Sequence, residues 1–296
     1  MDAFTAISSF LYQYADIVSI LILSAVGLII IFGMMGIINM AHGEMMMIGA
    51  YVTSFSYYAG VPTPLAVLLG GLAAALVGMI LERLVVRRFY GQLLSSLVVT
   101  WGVSLILSQG ALLAFGSLVR SVPTPFGSFA VGELSFSVYR VFLFLAGVAI
   151  LLAVWALFRF TRFGLEARAT MQDATMAHAL GIDTARIYAR VFGLGTGLAG
   201  LAGGLLALTS TIGPYYGQAY TTQAFITVVV GGGAELVSGL LASALSLGAV
   251  RTIATNQFNI LLGQMAMLVF AFVVIRLMPD GISGWIARRR LRSGRR

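Results

Sequence analysis

A chain of 296 residues that is 59% hydrophobic and 9% charged, with mean hydropathy +0.99, falls far from soluble domains, which carry roughly 25% charged residues. The composition is that of an all-α, polytopic membrane protein, read as one transmembrane domain over residues 1–296. All 18 basic residues are arginine, which excludes a P-loop and a Schiff-base lysine; no cysteine leaves no thiolate chemistry; and His42 and His178 are too few for a histidine metal cluster, so no catalytic residue, metal site or cofactor is expected.

A span needs about 20 apolar residues, fewer where a helix is broken inside protein. The first candidate is 17–35, overlapping a Gly-rich break. Residues 45–58 form a short second segment closed by Gly60, Pro62 and Pro64. Residues 65–81 are the third, ended by Glu82, Arg83, Arg87 and Arg88. Residues 93–115 return outward, 116–139 read as an external loop with some local structure, and 141–158 come back in. After the polar segment 159–190, residues 192–208 are so dense in glycine and alanine that helix backbones there can approach closely. Residues 209–220 form the next external loop, 221–230 head inward, and 240–250 and 261–277 complete the set before Pro279, Asp280 and Gly281 stop the last helix. This gives about eight or nine spans.

Arginine placement sets the expected orientation, because loops rich in arginine stay on the cytosolic side. The first 82 residues contain none, which places the N-terminus outside and leaves no positively charged region for a signal peptide. Residues 286–296 are expected as a basic cytosolic tail beside anionic lipid, a better account of the +8 net charge than nucleic acid. Arg251 falls outside in this scheme, against the charge bias.

Residues 159–190 are the longest polar interruption, with five arginines and the acids Glu166, Asp173 and Asp183. Gly164 interrupts it, 166–180 read as a helix, and Gly181 sits where a C-cap glycine stops it. Ile182 and Asp183 restart a second helix. On the cytosolic face this is a compact handle, suited to a soluble partner.

Two breaks, 33–44 and 231–239, each interrupt an apolar run with glycines, carry one acid and lead into a short hydrophobic segment. Paired broken helices point to a transporter's internal repeat and pathway. The pathway or break residues are Asn39, His42, Gly43, Glu44, Gly231, Gly232, Gly233 and Glu235. An ionisable residue within a membrane is a functional candidate. A helix-end role outweighs that for Glu44 and Glu235, because a break creates orphan backbone groups and a positive dipole end. Met45, Met46 and Met47 read as adaptable packing.

Residues 36–44 (GIINMAHGE) resemble the signature of the membrane permeases of bacterial ABC importers for branched-chain amino acids and for urea or short-chain amides. The resemblance continues through Glu82-Arg83, Thr100-Trp101-Gly102, the handle, Gly213-Pro214 and Gly231-Gly232. It implies a permease of the cytoplasmic membrane paired with a homologous permease, two cytosolic ATPases that hold ATP and magnesium, and a periplasmic binding protein. It identifies the handle with the family's coupling loop and assigns ATPase docking to Asp173, Met176, Ala177, Leu180, Gly181 and Ile182. Thr175 stands where a charged residue is common. The motifs INMAHGEMMMIGAY, LVVTWGVSLIL and GPYYGQAY look closer to urea and amide members, which makes such a solute the first expectation and a branched-chain amino acid the alternative. Ala234-Glu235 departs from the urea pattern. An ion-coupled transporter working alone is the competing class, with Glu44 and Glu235 as its candidate sites.

Overall fold

The computed structural model describes residues 3–131, 134–233 and 235–284. The basic tail and Ala234 lie outside them. The first helix, α1 (Ala3–Met35), starts well before residue 17, because Ser8, Ser9, Gln13 and Asp16 dilute its hydropathy without breaking it. After the first break come α2 (His42–Tyr58) and α3 (Thr63–Leu84), whose Pro64 sits in the first turn, where no amide partner is lost. A 3₁₀ turn at Val86–Phe89 leads to α4 (Leu93–Phe115). The predicted external loop holds an antiparallel hairpin, β1 (Ser128–Val131) and β2 (Leu134–Ser137), with Phe129 opposite Phe136. Then follow α5 (Val138–Phe160), α6 (Arg162–Gln172), α7 (Ala174–Ala179), α8 (Thr184–Leu206), α9 (Gln218–Gly231), α10 (Leu236–Gln257) and α11 (Ile260–Leu277). Seven of these, α1, α3, α4, α5, α8, α10 and α11, are long and apolar enough to cross a membrane. The 17-residue α2 and 14-residue α9, which flank the breaks, complete the predicted set.

The chain packs as two compact units. One holds residues 23–123 and 152–223; the other holds those up to 22, 124–151 and from 224 onward. In the first, α2, α3 and α8 pack together. Lipid tails are as apolar as leucine, so helices associate there by close packing over small residues. A Cβ at Gly49 would overlap the Gly200 carbonyl, one at Gly203 the Met46 backbone, and one at Gly27 the Gly195 carbonyl. Outward go the large apolar side chains, such as Leu72, Leu94, Ile106 and Leu113. In the second unit α10 packs on α11, and the Tyr12 ring of α1 packs at a tilt against Phe136 while its hydroxyl bonds the backbone of Ser137.

Arg251, which the charge bias left unexplained, has a partner. Asp16 pairs with Arg140 of α5, and Arg251 of α10 adds its attraction to the same carboxylate. That carboxylate offsets part of the charge on this arginine.

Candidate functional site

At the first break α1 ends on Gly36, whose φ of +62° suits a residue without a side chain. Gly33 remains helical, and α2 begins at His42, so the break spans 36–41 rather than 33–44. Its backbone is tied to α4. The Thr100 hydroxyl accepts from the Met40 amide at 3.0 Å and lies 3.1 Å from the Ile38 carbonyl. Asn39 closes the turn, its Oδ1 accepting from the Ala41 amide (3.2 Å) and its carbonyl from the His42 amide (3.3 Å). The Asn39 Oδ1 thus satisfies one backbone amide freed by the break. Its Nδ2 is buried without a partner.

His42 lies fully buried with Nε2 2.8 Å from the Ser24 carbonyl. A carbonyl only accepts, so Nε2 carries the proton, and the neutral ring keeps a lone pair on Nδ1. That nitrogen has no partner. Glu44 sits in the first turn of α2, 2% exposed, with the Ser104 hydroxyl of α4 at its carboxylate and Oε2 unpartnered. The dipole end favours an acid there, as expected. Buried polar atoms are nearly always bonded, so three orphans within six residues call for a cause. Gly43 approaches Gly217 and Thr221 so closely that a Cβ has no room. The three methionines are buried as packing.

At the second break, α9 runs through Gly231 and α10 starts at Leu236, so Gly239 is helical and Gly232, Gly233 and Glu235 are the described residues between the helices. Gly232 takes φ +77°. A Cβ on Gly281 would lie 2.5 Å from the Gly232 Cα, so the turn after α11, expected only to stop that helix, is also seated on the break. Gly233 is half-buried. Glu235 is half-buried too, and its Oε2 accepts from the Ser238 hydroxyl at 2.6 Å. The two acids thus share a position in the pattern but differ in surroundings.

The handle corrects the sequence reading. One helix over 166–180 was expected; there are two, because the Asp173 backbone turns extended and its Oδ1 accepts from the Met176 amide at 2.9 Å to start α7. Gly164, expected to break the chain, lies inside α6, pressed on the Phe158 backbone. Gly181 ends α7 at φ +89°. The Ile182 amide reaches the Ala177 carbonyl and the Gly181 amide the His178 carbonyl, both at 3.0 Å, which is a Schellman cap. Asp183 then starts α8, accepting from the Arg186 amide at 3.0 Å and pairing with its guanidinium at 2.9 Å. Of the six docking candidates, Met176 (59%) and Leu180 (76%) stand exposed, while Ala177 (3%) is buried and Asp173 and Gly181 shape the turns.

Two features escaped the sequence reading. The Tyr90 hydroxyl donates to the buried Glu82 carboxylate, and its ring packs on Tyr188 of α8; burial and that carboxylate push the phenol above its ordinary range. Residues Ser96, Thr100, Ser104 and Ser108 form the buried face of α4. Their spacing of four was a readable signal.

A family model for the branched-chain amino acid transport system permease component matches residues 10–278. The chain belongs to that family. It is thus the permease component of an ABC importer, a multi-pass protein of the cytoplasmic membrane. The permease is 29% identical to the high-affinity branched-chain amino acid transport permease LivH of Escherichia coli K12, over 88% of this chain and 90% of that one. It is 27% identical to BraD of Pseudomonas aeruginosa, covering 88% and 91%. The probable branched-chain permease LivH of Methanocaldococcus jannaschii is 25% identical, covering 93% and 92%. No solved structure matches the permease. These relatives favour the branched-chain alternative; the expected urea or amide preference finds no support among them.

Proposed function

We propose that this permease forms the membrane pathway for branched-chain amino acids. Similarity across nearly the whole chain to permeases named for that solute carries the reading. In it, a homologous permease pairs with this chain, a periplasmic binding protein delivers the amino acid, and two cytosolic ATPases bind ATP and magnesium. Each ATPase closure presses on a handle and biases the pathway between its two faces. The exposed Met176 and Leu180, held by the caps at Asp173 and Gly181, suit a docking contact, with Ile182 fixing the turn. The test is competition for ATP-driven leucine uptake by proteoliposomes bearing the complete importer. Excess isoleucine or valine suppresses leucine uptake and excess urea or acetamide does not; the reverse ranking contradicts the solute assignment.

A further inference from the structure

Helix α4 is polar on its inside and apolar on its outside. Its buried residues are Ser96, Thr100, Ser104, Ser108 and Ala111, whereas Leu94, Val98, Trp101, Ile106 and Leu113 point outward. At 1.5 Å per residue the hydroxyl face runs about 18 Å, more than half the hydrocarbon thickness of roughly 30 Å. Packing alone needs no hydroxyls, since glycine and alanine serve that purpose elsewhere in the same unit. The donors are directed at the helix's own carbonyls: Ser96 to Leu93 (2.8 Å), Thr100 to Ser96 (2.7 Å) and Ser108 to Leu105 (3.3 Å). Oxygen lone pairs remain, and opposite Ser104 stands Glu44 with its orphan Oε2. Neither described ion pair involves Glu44. A buried carboxylate without a cation is costly, and of the groups an aliphatic amino acid carries only its α-ammonium offers donors alone with a positive charge.

We propose that the hydroxyl face of α4 and Glu44 line the solute's path, and that Glu44 with the neighbouring hydroxyl oxygens receives the α-ammonium group of the travelling amino acid. This rests on the amino-acid reading above. The natural chain has no cysteine, so single cysteines report cleanly. In the complete importer, cysteines at Ser104 and Ser108 should react with methanethiosulfonate ethylammonium about tenfold faster than those at Ile106 and Leu113, because the reagent needs water. Equal or slower reaction on the hydroxyl face overturns the path. In the Ser104→Cys background, Glu44→Gln should lower the rate of the ammonium reagent relative to neutral methyl methanethiosulfonate by about tenfold, the loss of a charge attraction, and Glu44→Asp should restore the ratio. An unchanged ratio overturns the ammonium site whether or not the variant transports. Failure of the unaltered importer to take up leucine counts against the solute reading instead.

Discussion

Gly181 holds φ +89° at the end of α7, and a β-branched side chain takes that angle only under strain. Gly181→Val should destabilise the handle by about 1–3 kcal/mol and uncouple ATP hydrolysis from uptake, while the permease still inserts. Hydrogen exchange of the Gly181 and Ile182 amides in nanodiscs should quicken; unchanged protection contradicts the Schellman cap. The glycines of the helix contacts separate in another way. Gly49→Ala drives a methyl into the Gly200 backbone and should lower stability by about 1–3 kcal/mol or more. Gly110→Ala meets nothing within 4 Å and should be neutral or stabilising by up to about 1 kcal/mol. Thermal unfolding of the two variants in one lipid checks the contrast, and equal losses contradict the packing. Glycine density marked 192–208 as an interface from sequence, but Gly27, Gly49 and Gly70 lie too far apart in the chain to announce their partners. The Gly181 cap was legible because a stop signal needs only its own neighbours.

Among the elements, hydropathy located the apolar runs well and their ends poorly. Residues 93–115 agree with α4 because a glycine stops it, whereas α1 carries on toward the N-terminus through residues that are polar yet helical. The handle shows the same limit: Asp173 is a good N-cap type, but inside an Ala- and Met-rich run it read as one more helical residue. Asp173→Ala should cost about 0.5–2 kcal/mol of α7 stability, seen as faster exchange at Met176; no change would mean the cap is idle. Leu180→Asp should leave the handle folded and strip ATP-driven uptake, since the side chain touches little of its own chain. Full uptake in that variant removes the docking role from Leu180. Tyr90→Phe takes the proton donor from Glu82 and should cost about 1.5–3 kcal/mol. Thermal unfolding at the wild-type midpoint contradicts that bond.

At the scale of the whole molecule, the family and the polytopic class were legible because the GIINMAHGE motif and composition are local or summed properties. The likeness to branched-chain relatives was not, since short motif likeness to urea members competed with similarity spread over the whole chain. Orientation rests on arginine placement, and cysteines report it. Thr170 is buried in α6, so Gln172 is the better cytosolic reporter, with Ser293 in the tail and Ser128 and Ser210 as external reporters. Labelling of Ser128→Cys from the cytosol reverses the assignment. The central claim is that ATP hydrolysed by partner chains drives amino-acid passage through this permease. It is tested most directly by leucine uptake into proteoliposomes with ionophores collapsing every ion gradient. The account predicts uptake that requires ATP, both ATPases and the binding protein, and that persists without a gradient. Uptake by this chain alone, driven by a proton or sodium gradient and abolished by Glu44→Gln, would contradict it.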